Sequence, residues 1–152
     1  MSLVIPFTFS GVTEIPFGSE WYALTVALRY DILRKPLGLH FTAEQLSKEN
    51  KEFHIAYIED GKILGCLILT TKENGIIKMR QVAVAENQQG KGIGKEMVRF
   101  SEKFSIEKGF TTMDLNARKT ALPFYLSMNY KIVGNEFEEV TIPHFRMIKE
   151  LK

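Results

Sequence analysis

Ile76-Ile77-Lys78-Met79-Arg80-Gln81-Val82-Ala83-Val84-Ala85 runs directly into Glu86-Asn87-Gln88-Gln89-Gly90-Lys91-Gly92-Ile93-Gly94-Lys95. The first ten residues read as a long strand. From position 92 to 108, Ile93, Met97, Phe100 and Phe104 recur at helical spacing, with mostly Lys, Glu and Arg between them. These four form the core face of a helix, and Gly109 stands where a left-handed C-terminal cap belongs. The junction holds three glycines in five residues, at 90, 92 and 94. Glycine at a strand-to-helix turn permits positive φ and lets the backbone approach a ligand closely. The helix start offers unpaired N–H groups and the positive end of the dipole, and Lys91 and Lys95 add charge. These features together suit a pyrophosphate; the alternative is a tight turn with a purely structural role.

Upstream, a first strand is expected over residues 3–9. Ser19 is placed to cap a helix whose Trp21, Leu24, Leu28 and Ile32 make one apolar face, and Pro36 and Gly38 end it. Thr42-Ala43-Glu44-Gln45 reads as a capping box. Strands are expected over 53–59 and 63–71, joined by the hairpin signal Asp60-Gly61, and Glu73-Asn74-Gly75 turns the chain into the 76–85 strand. Downstream, short strands are expected over 112–115, 130–133 and 145–151, with a helix over 120–128 that tolerates Pro123 only near its first turn. The order β-α-α-β-β-β-α-β-α-β-β describes a mixed α+β domain whose middle is an antiparallel meander.

The 152 residues fit one domain, 1–152. Twenty basic and 18 acidic residues leave a net charge of +2, too balanced to argue for nucleic acid or a membrane surface as partner. Cys66 is the only cysteine, so neither an intrachain disulfide nor a cysteine metal cluster is expected. It lies in a strand-like run and reads as a small core residue. Met1 to Ser10 lacks a basic leader region and contains Pro6. No run approaches the ~18 apolar residues of a spanning helix. A cytoplasmic protein without a metal is the expectation; a homodimer is left open.

Two common phosphate loops fail on this junction. The nucleoside-triphosphate loop needs Ser or Thr after Gly-Lys, but Glu96 follows Gly94-Lys95, and Gln89 stands five before Gly94. The dinucleotide pattern Gly-x-Gly-x-x-Gly meets Lys95 or Met97 at its last position. What remains is Gln89-x-x-Gly92-x-Gly94 directly after Val-Ala-Val. This resembles the cofactor motif of the GNAT superfamily of acyl-CoA-dependent N-acetyltransferases, Gln/Arg-x-x-Gly-x-Gly/Ala. Farther on, Asn116-Ala117-Arg118 and Ala121-Leu122-Pro123-Phe124-Tyr125-Leu126-Ser127-Met128-Asn129-Tyr130 are similar to that family's Asn-x-x-Ala-x-x-Phe-Tyr-x-x-x-Gly-Phe/Tyr segment. Asn129 replaces the usual Gly, and Asn also tolerates the left-handed region.

The resemblance implies a GNAT-like mixed sheet, with an antiparallel N-terminal meander, a central splayed strand pair and flanking helices. It implies acetyl-CoA as acyl donor and a small-molecule or peptide amine as acceptor, with transfer by direct attack in a ternary complex. A non-catalytic acyl-CoA-binding or regulatory module is the alternative. By the same resemblance, Val82, Ala83 and Val84 hold pantetheine along a freed strand edge, where backbone also polarises the thioester oxygen. Gln89, Gly90, Lys91, Gly92, Ile93, Gly94 and Lys95 hold the pyrophosphate, and Asn116, Phe124 and Tyr125 complete the donor site. Tyr125 matches the family's general acid. Its ordinary pKa of ~10 lies mildly above the ~8.5 of the leaving thiol; the other reading is a packing tyrosine.

The central strand, 76–81, has no carboxylate to serve as a base. His144, in Ile142-Pro143-His144, is the candidate, since an unperturbed imidazole pKa of ~6.5 suits base work at neutral pH; a structural histidine holding the last hairpin is the alternative. His54 reads as a core or edge residue and His40 as a loop residue. Arg29 and Arg80, if they converge, suit a carboxylate- or phosphate-bearing amine, with His144 beside them. Arg34 and Lys35 read as solvated charge. Glu136, Glu138 and Glu139 read as a solvated turn that could instead attract a cationic acceptor.

Overall fold

The structure is a computed structural model and describes residues 4–152. Seven strands make one sheet in the order β1-β2-β3-β4-β5-β7-β6. They are β1 (Gly11–Ile15), β2 (Phe53–Glu59), β3 (Lys62–Thr71), β4 (Ile76–Val84), β5 (Thr112–Arg118), β6 (Lys131–Glu139) and β7 (Ile142–Glu150). Helices α1 (Glu20–Arg29), α2 (Ala43–Ser47), α3 (Ile93–Glu107) and α4 (Leu122–Ser127) connect them. All neighbours are antiparallel except β4 and β5, which α3 joins as a crossover. This is the mixed α+β sheet expected from the sequence.

Local chemistry places most turns. Asp60 and Gly61 have φ of 52° and 72°, the doubly left-handed form that Asp-Gly favours between paired strands. Ser19 accepts from the Tyr22 N–H, and Thr42 and Gln45 cap each other reciprocally. Gly65 on β3 lets α3 approach the sheet: a Cβ there would stand 2.8 Å from the Met97 methyl carbon. On this side of the sheet Leu67, Leu69, Ile77, Met79, Met97, Val98, Met113, Leu115 and Met147 are buried as one core. Cys66 is buried, and burial pushes its thiol up to about 12, which leaves no thiolate for catalysis.

Several expectations need correction. Residue 3 lies outside the described residues, and residues 4–9 form no strand. The Phe9 N–H donates to the Pro6 carbonyl in a turn, and β1 begins at Gly11. Helix α1 buries Tyr22, Thr25 and Arg29, whereas Leu24 is 45% exposed. The inward face of α1 is therefore polar. Tyr22 Oη donates to Glu49 Oε1 at 2.8 Å, and Arg29 donates to both carboxylate oxygens at 2.8 and 2.6 Å. The helix continues beyond Arg29 as a π-turn (Tyr30–Arg34) and a 3-10 turn (Lys35–Leu37) before Gly38 at φ 70° ends it. Strands β5, β6 and β7 are longer than expected. The turn between β6 and β7 is Val140-Thr141, at φ 45° and 66°, without a glycine or asparagine to announce it.

Candidate functional site

The sheet opens between its two parallel strands. Pairing of β4 with β5 runs from Ile76–Thr112 to Met79–Leu115 and goes no further. On the other side of β4, Cys66 pairs with Ala83 and Ile68 with Arg80, so two residues of β3 span three of β4. The extra residue is a β-bulge, with Gln81 at φ 55°. A bulge bends its strand and increases local twist, and here β4 leaves β5 just where the bulge falls. The central strand pair is splayed as expected.

A cleft of about 880 Å³ fills the opening. One wall is Val82, Ala83 and Val84; the other is Asn116, Phe124 and Tyr125. Gln89, Gly90, Gly92, Ile93, Gly94 and Lys95 line its end, whereas Lys91 is exposed outside the lining, its Nζ 3.5 Å from Gln88 Oε1. Gly90 and Gly92 have φ of 82° and 86°, and a Cβ on either would meet nothing within 4 Å. Helix α3 has no side-chain cap at Gly92, and its first helical bond is Glu96 N–H to the Gly92 carbonyl. The N–H groups of Ile93, Gly94 and Lys95 therefore lack helical acceptors and face an open, positively polarised space. Gln89 Nε2 donates to the Val84 carbonyl at 3.1 Å, tying the turn back onto its strand. This donor set fits a diphosphate.

Tyr125 is 6% exposed and packs edge-on to Phe124 and Tyr130. Burial raises its pKa to about 12, so its phenol stays protonated. Against the ordinary thiol value of ~8.5, burial makes proton donation more uphill than the sequence suggested. The same dry surroundings disfavour a thiolate as well, which narrows that gap.

His144 also lines the cleft, buried on β7 and stacked on Phe137. Its Nδ1 lies 2.7 Å from the Ile142 carbonyl, which can only accept, so Nδ1 is the donor there and Nε2 is the nitrogen left for other partners. Nε2 lies 3.5 Å from Glu139 Oε2, and the other oxygen of Glu139 accepts from Asn116 Nδ2 at 3.4 Å. Glu139 thus lines the cleft from the end of β6, not from a turn, and stays exposed there, while Glu136 pairs with Lys119 at 3.0 Å. The long β6–β7 hairpin carries Glu139 there, and the unmarked Val140-Thr141 turn hid the length of that hairpin from sequence reasoning.

Arg80 lines the cleft, with Nη1 2.8 Å from Glu52. Arg29 does not reach it: it is 1% exposed, and both its terminal nitrogens donate to Glu49. The expected convergence of Arg29 with Arg80 is absent, because the polar face of α1 turns Arg29 into the interior. Arg34, read as solvated, lines the cleft in its place, and Arg118 joins it from the end of β5. His40 stacks on Tyr30 away from the lining, and His54 is buried with Nε2 2.9 Å from the Glu49 carbonyl.

The parted parallel strand pair thus leads onto a glycine-rich helix start whose donors fit a diphosphate. The model of the acetyltransferase (GNAT) domain matches residues 36–151, and this chain belongs to that family. Over 103 residues it is 29% identical to the uncharacterized N-acetyltransferase YjcF of Bacillus subtilis, covering 67% of this chain and 73% of that one. Its fold is similar to a solved structure from Lactobacillus plantarum assigned as an N-acetyltransferase, at TM-score 0.83 and 19% identity, over 93% of this chain and 99% of the other. It is similar as well to an aminoglycoside 6'-N-acetyltransferase complexed with coenzyme A, at TM-score 0.76 and 16% identity, over 91% and 96%. Among the described residues no helix is long and apolar enough to cross a membrane.

Proposed function

We propose that the chain transfers an acetyl group from acetyl-CoA to a primary amine by direct attack within a ternary complex. The observation that carries this reading is the parting of β4 from β5 beyond Met79–Leu115, directly onto the uncapped start of α3. The freed edge of β4 at Val82–Val84 offers backbone partners to the pantetheine amides. The free N–H groups at Ile93, Gly94 and Lys95 take the pyrophosphate, Lys91 and Lys95 add positive charge, and Phe124 packs beside the glycine turn. A Cβ on Gly94 would lie 3.6 Å from the Phe124 ring.

The chemistry needs one proton removed and one delivered. His144 Nε2 takes the proton of the attacking amine as the N–C bond forms, and Glu139 stabilises the resulting imidazolium. Tyr125 gives its phenolic proton to the sulfur as the C–S bond breaks, then recovers one from solvent. Asn116 tethers Glu139 and faces the donor. The buried Cys66 is unsuited to an acyl-enzyme relay, which favours direct transfer.

Tyr125→Phe is expected to lower the rate at saturating acetyl-CoA by roughly 100-fold or more while leaving acetyl-CoA affinity unchanged. Stopped-assay thiol release, paired with calorimetry on the same samples, measures both; an unchanged rate removes Tyr125 as the acid. For His144→Gln a fall of similar size is expected, again without loss of donor affinity. A variant as fast as the parent would leave His144 with only the β7 packing role.

A further inference from the structure

The cleft holds more positive charge than the donor end uses. Strand alternation puts Ile77 and Met79 of β4, and Leu115 and Ala117 of β5, into the core under α3. Lys78, Arg80 and Arg118 therefore project to the opposite face, the one α1 and its π-turn cover. Arg34 enters from that π-turn, with its guanidinium 4.8 Å over the Phe41 ring and its buried Nε without a hydrogen-bond partner among the described residues. An orphaned buried N–H is uncommon and costs stability. Burial, followed by the neighbouring charges of Arg29, Arg118 and Arg80, lowers the Arg34 pKa.

Nearby carboxylates do not balance this charge. Glu52 pairs with Arg80, Glu49 with Arg29 and Asp114 with Arg146. Glu139, the sole carboxylate in the lining, faces His144 and Asn116, and its charge offsets the repulsion on Arg34 only in part. Among the described residues Arg34, Arg118 and Lys78 have no carboxylate within 4.0 Å. The donor's pyrophosphate already has the α3 start, Lys91 and Lys95. Neighbouring like charges under partial cover repel one another, and an anion seated among them offsets that repulsion.

We infer that Arg34, Arg118 and Lys78 form an oxyanion subsite, and that the acceptor is an amine carrying its own carboxylate or phosphate. The inference rests on the acetyltransferase reading and narrows its acceptor. Guanidinium forks match both oxyanions bidentately. With the anion seated there, the amine reaches toward His144 on the same sheet face. A polycationic acceptor would meet like charge at three side chains.

The test uses amines that differ only in the anion: amino acids against their carboxamides, and 2-aminoethyl phosphate against ethanolamine. The anionic member of a pair is expected to show kcat/KM higher by roughly 10- to 100-fold, the worth of a charge-assisted contact. Whether the carboxylate or the phosphate pair shows the larger ratio identifies the anion. In Arg118→Gln and Arg34→Gln that ratio collapses, and acetyl-CoA affinity stays as in the parent. Neutral or cationic amines turned over as well as anionic ones would overturn the inference and leave the transferase reading intact. Weakened acetyl-CoA binding in these variants would overturn it too, assigning the cations to the donor. Calorimetry with N-acetyl amino acids in the presence of coenzyme A supplies a readout independent of turnover. Binding that Arg118→Gln abolishes supports the subsite even if no amine is acetylated; no binding and no turnover sinks it.

Discussion

Gly92→Val is expected to abolish measurable coenzyme A binding in a protein that still folds. Gly92 sits at φ 86°, a region that β-branched residues rarely enter. A valine there would drive the peptide out of the left-handed region and turn the first N–H groups of α3 away from the cleft. Each charge-assisted hydrogen bond to an anion is worth about 1.5–3 kcal/mol, so losing two removes roughly 100-fold or more of the affinity. Packing is not the cause, because nothing lies within 4 Å of the added Cβ. Far-ultraviolet circular dichroism checks the fold and calorimetry the affinity. Retained affinity in folded Gly92→Val would refute the pyrophosphate assignment.

The largest stability effect is expected far from the cleft. Arg29→Met leaves the Glu49 carboxylate buried with only the Tyr22 hydroxyl against it. Breaking a buried pair from one side costs about 3–5 kcal/mol. For a chain of this size that lowers Tm by on the order of 10 °C. The effect has a pH signature. Burial pushes the Glu49 pKa up, but the hydrogen bonds and charge of Arg29 outweigh it, so the net value lies below the ordinary 4.5. In the parent, this stabilisation is complete above the unfolded value and is lost as pH falls through the depressed folded one. In Arg29→Met, burial dominates, the folded pKa lies above the unfolded one, and acid favours the native state. The Tm difference between parent and variant therefore narrows on acidification. Thermal unfolding of both proteins across the acid range measures it; a constant difference contradicts the burial argument. Adding Glu49→Gln to Arg29→Met is expected to recover part of the loss.

Sequence reasoning succeeded where local chemistry decides. The glycine turn, the Ser19 and Thr42 caps, the Asp60-Gly61 hairpin and the periodic face of α3 are all written within a few residues. It failed on α1, where Trp21, Leu24 and Leu28 suggested an apolar face but the helix buries Tyr22, Thr25 and Arg29. The deciding partner is Glu49, twenty residues beyond Arg29, and no periodicity carries that information. The splayed strand pair was expected only through family resemblance, and the bulge at Gln81 that accompanies it is unmarked, because a glutamine does not announce positive φ. The cleft's cations were misassigned for a related reason. Whether Arg29 or Arg34 faces the opening depends on the π-turn at Tyr30–Arg34, which rotates the register past the last α-helical residue. Glu139 was lost with the Val140-Thr141 turn.

Amine-dependent release of free thiol from acetyl-CoA is the most direct measurement of the central claim. The parent protein is expected to release coenzyme A in proportion to added amine and to yield the N-acetylated product. Tight acetyl-CoA binding with no amine-dependent thiol release, across anionic, neutral and cationic amines, would contradict acetyl transfer and leave a cofactor-binding module.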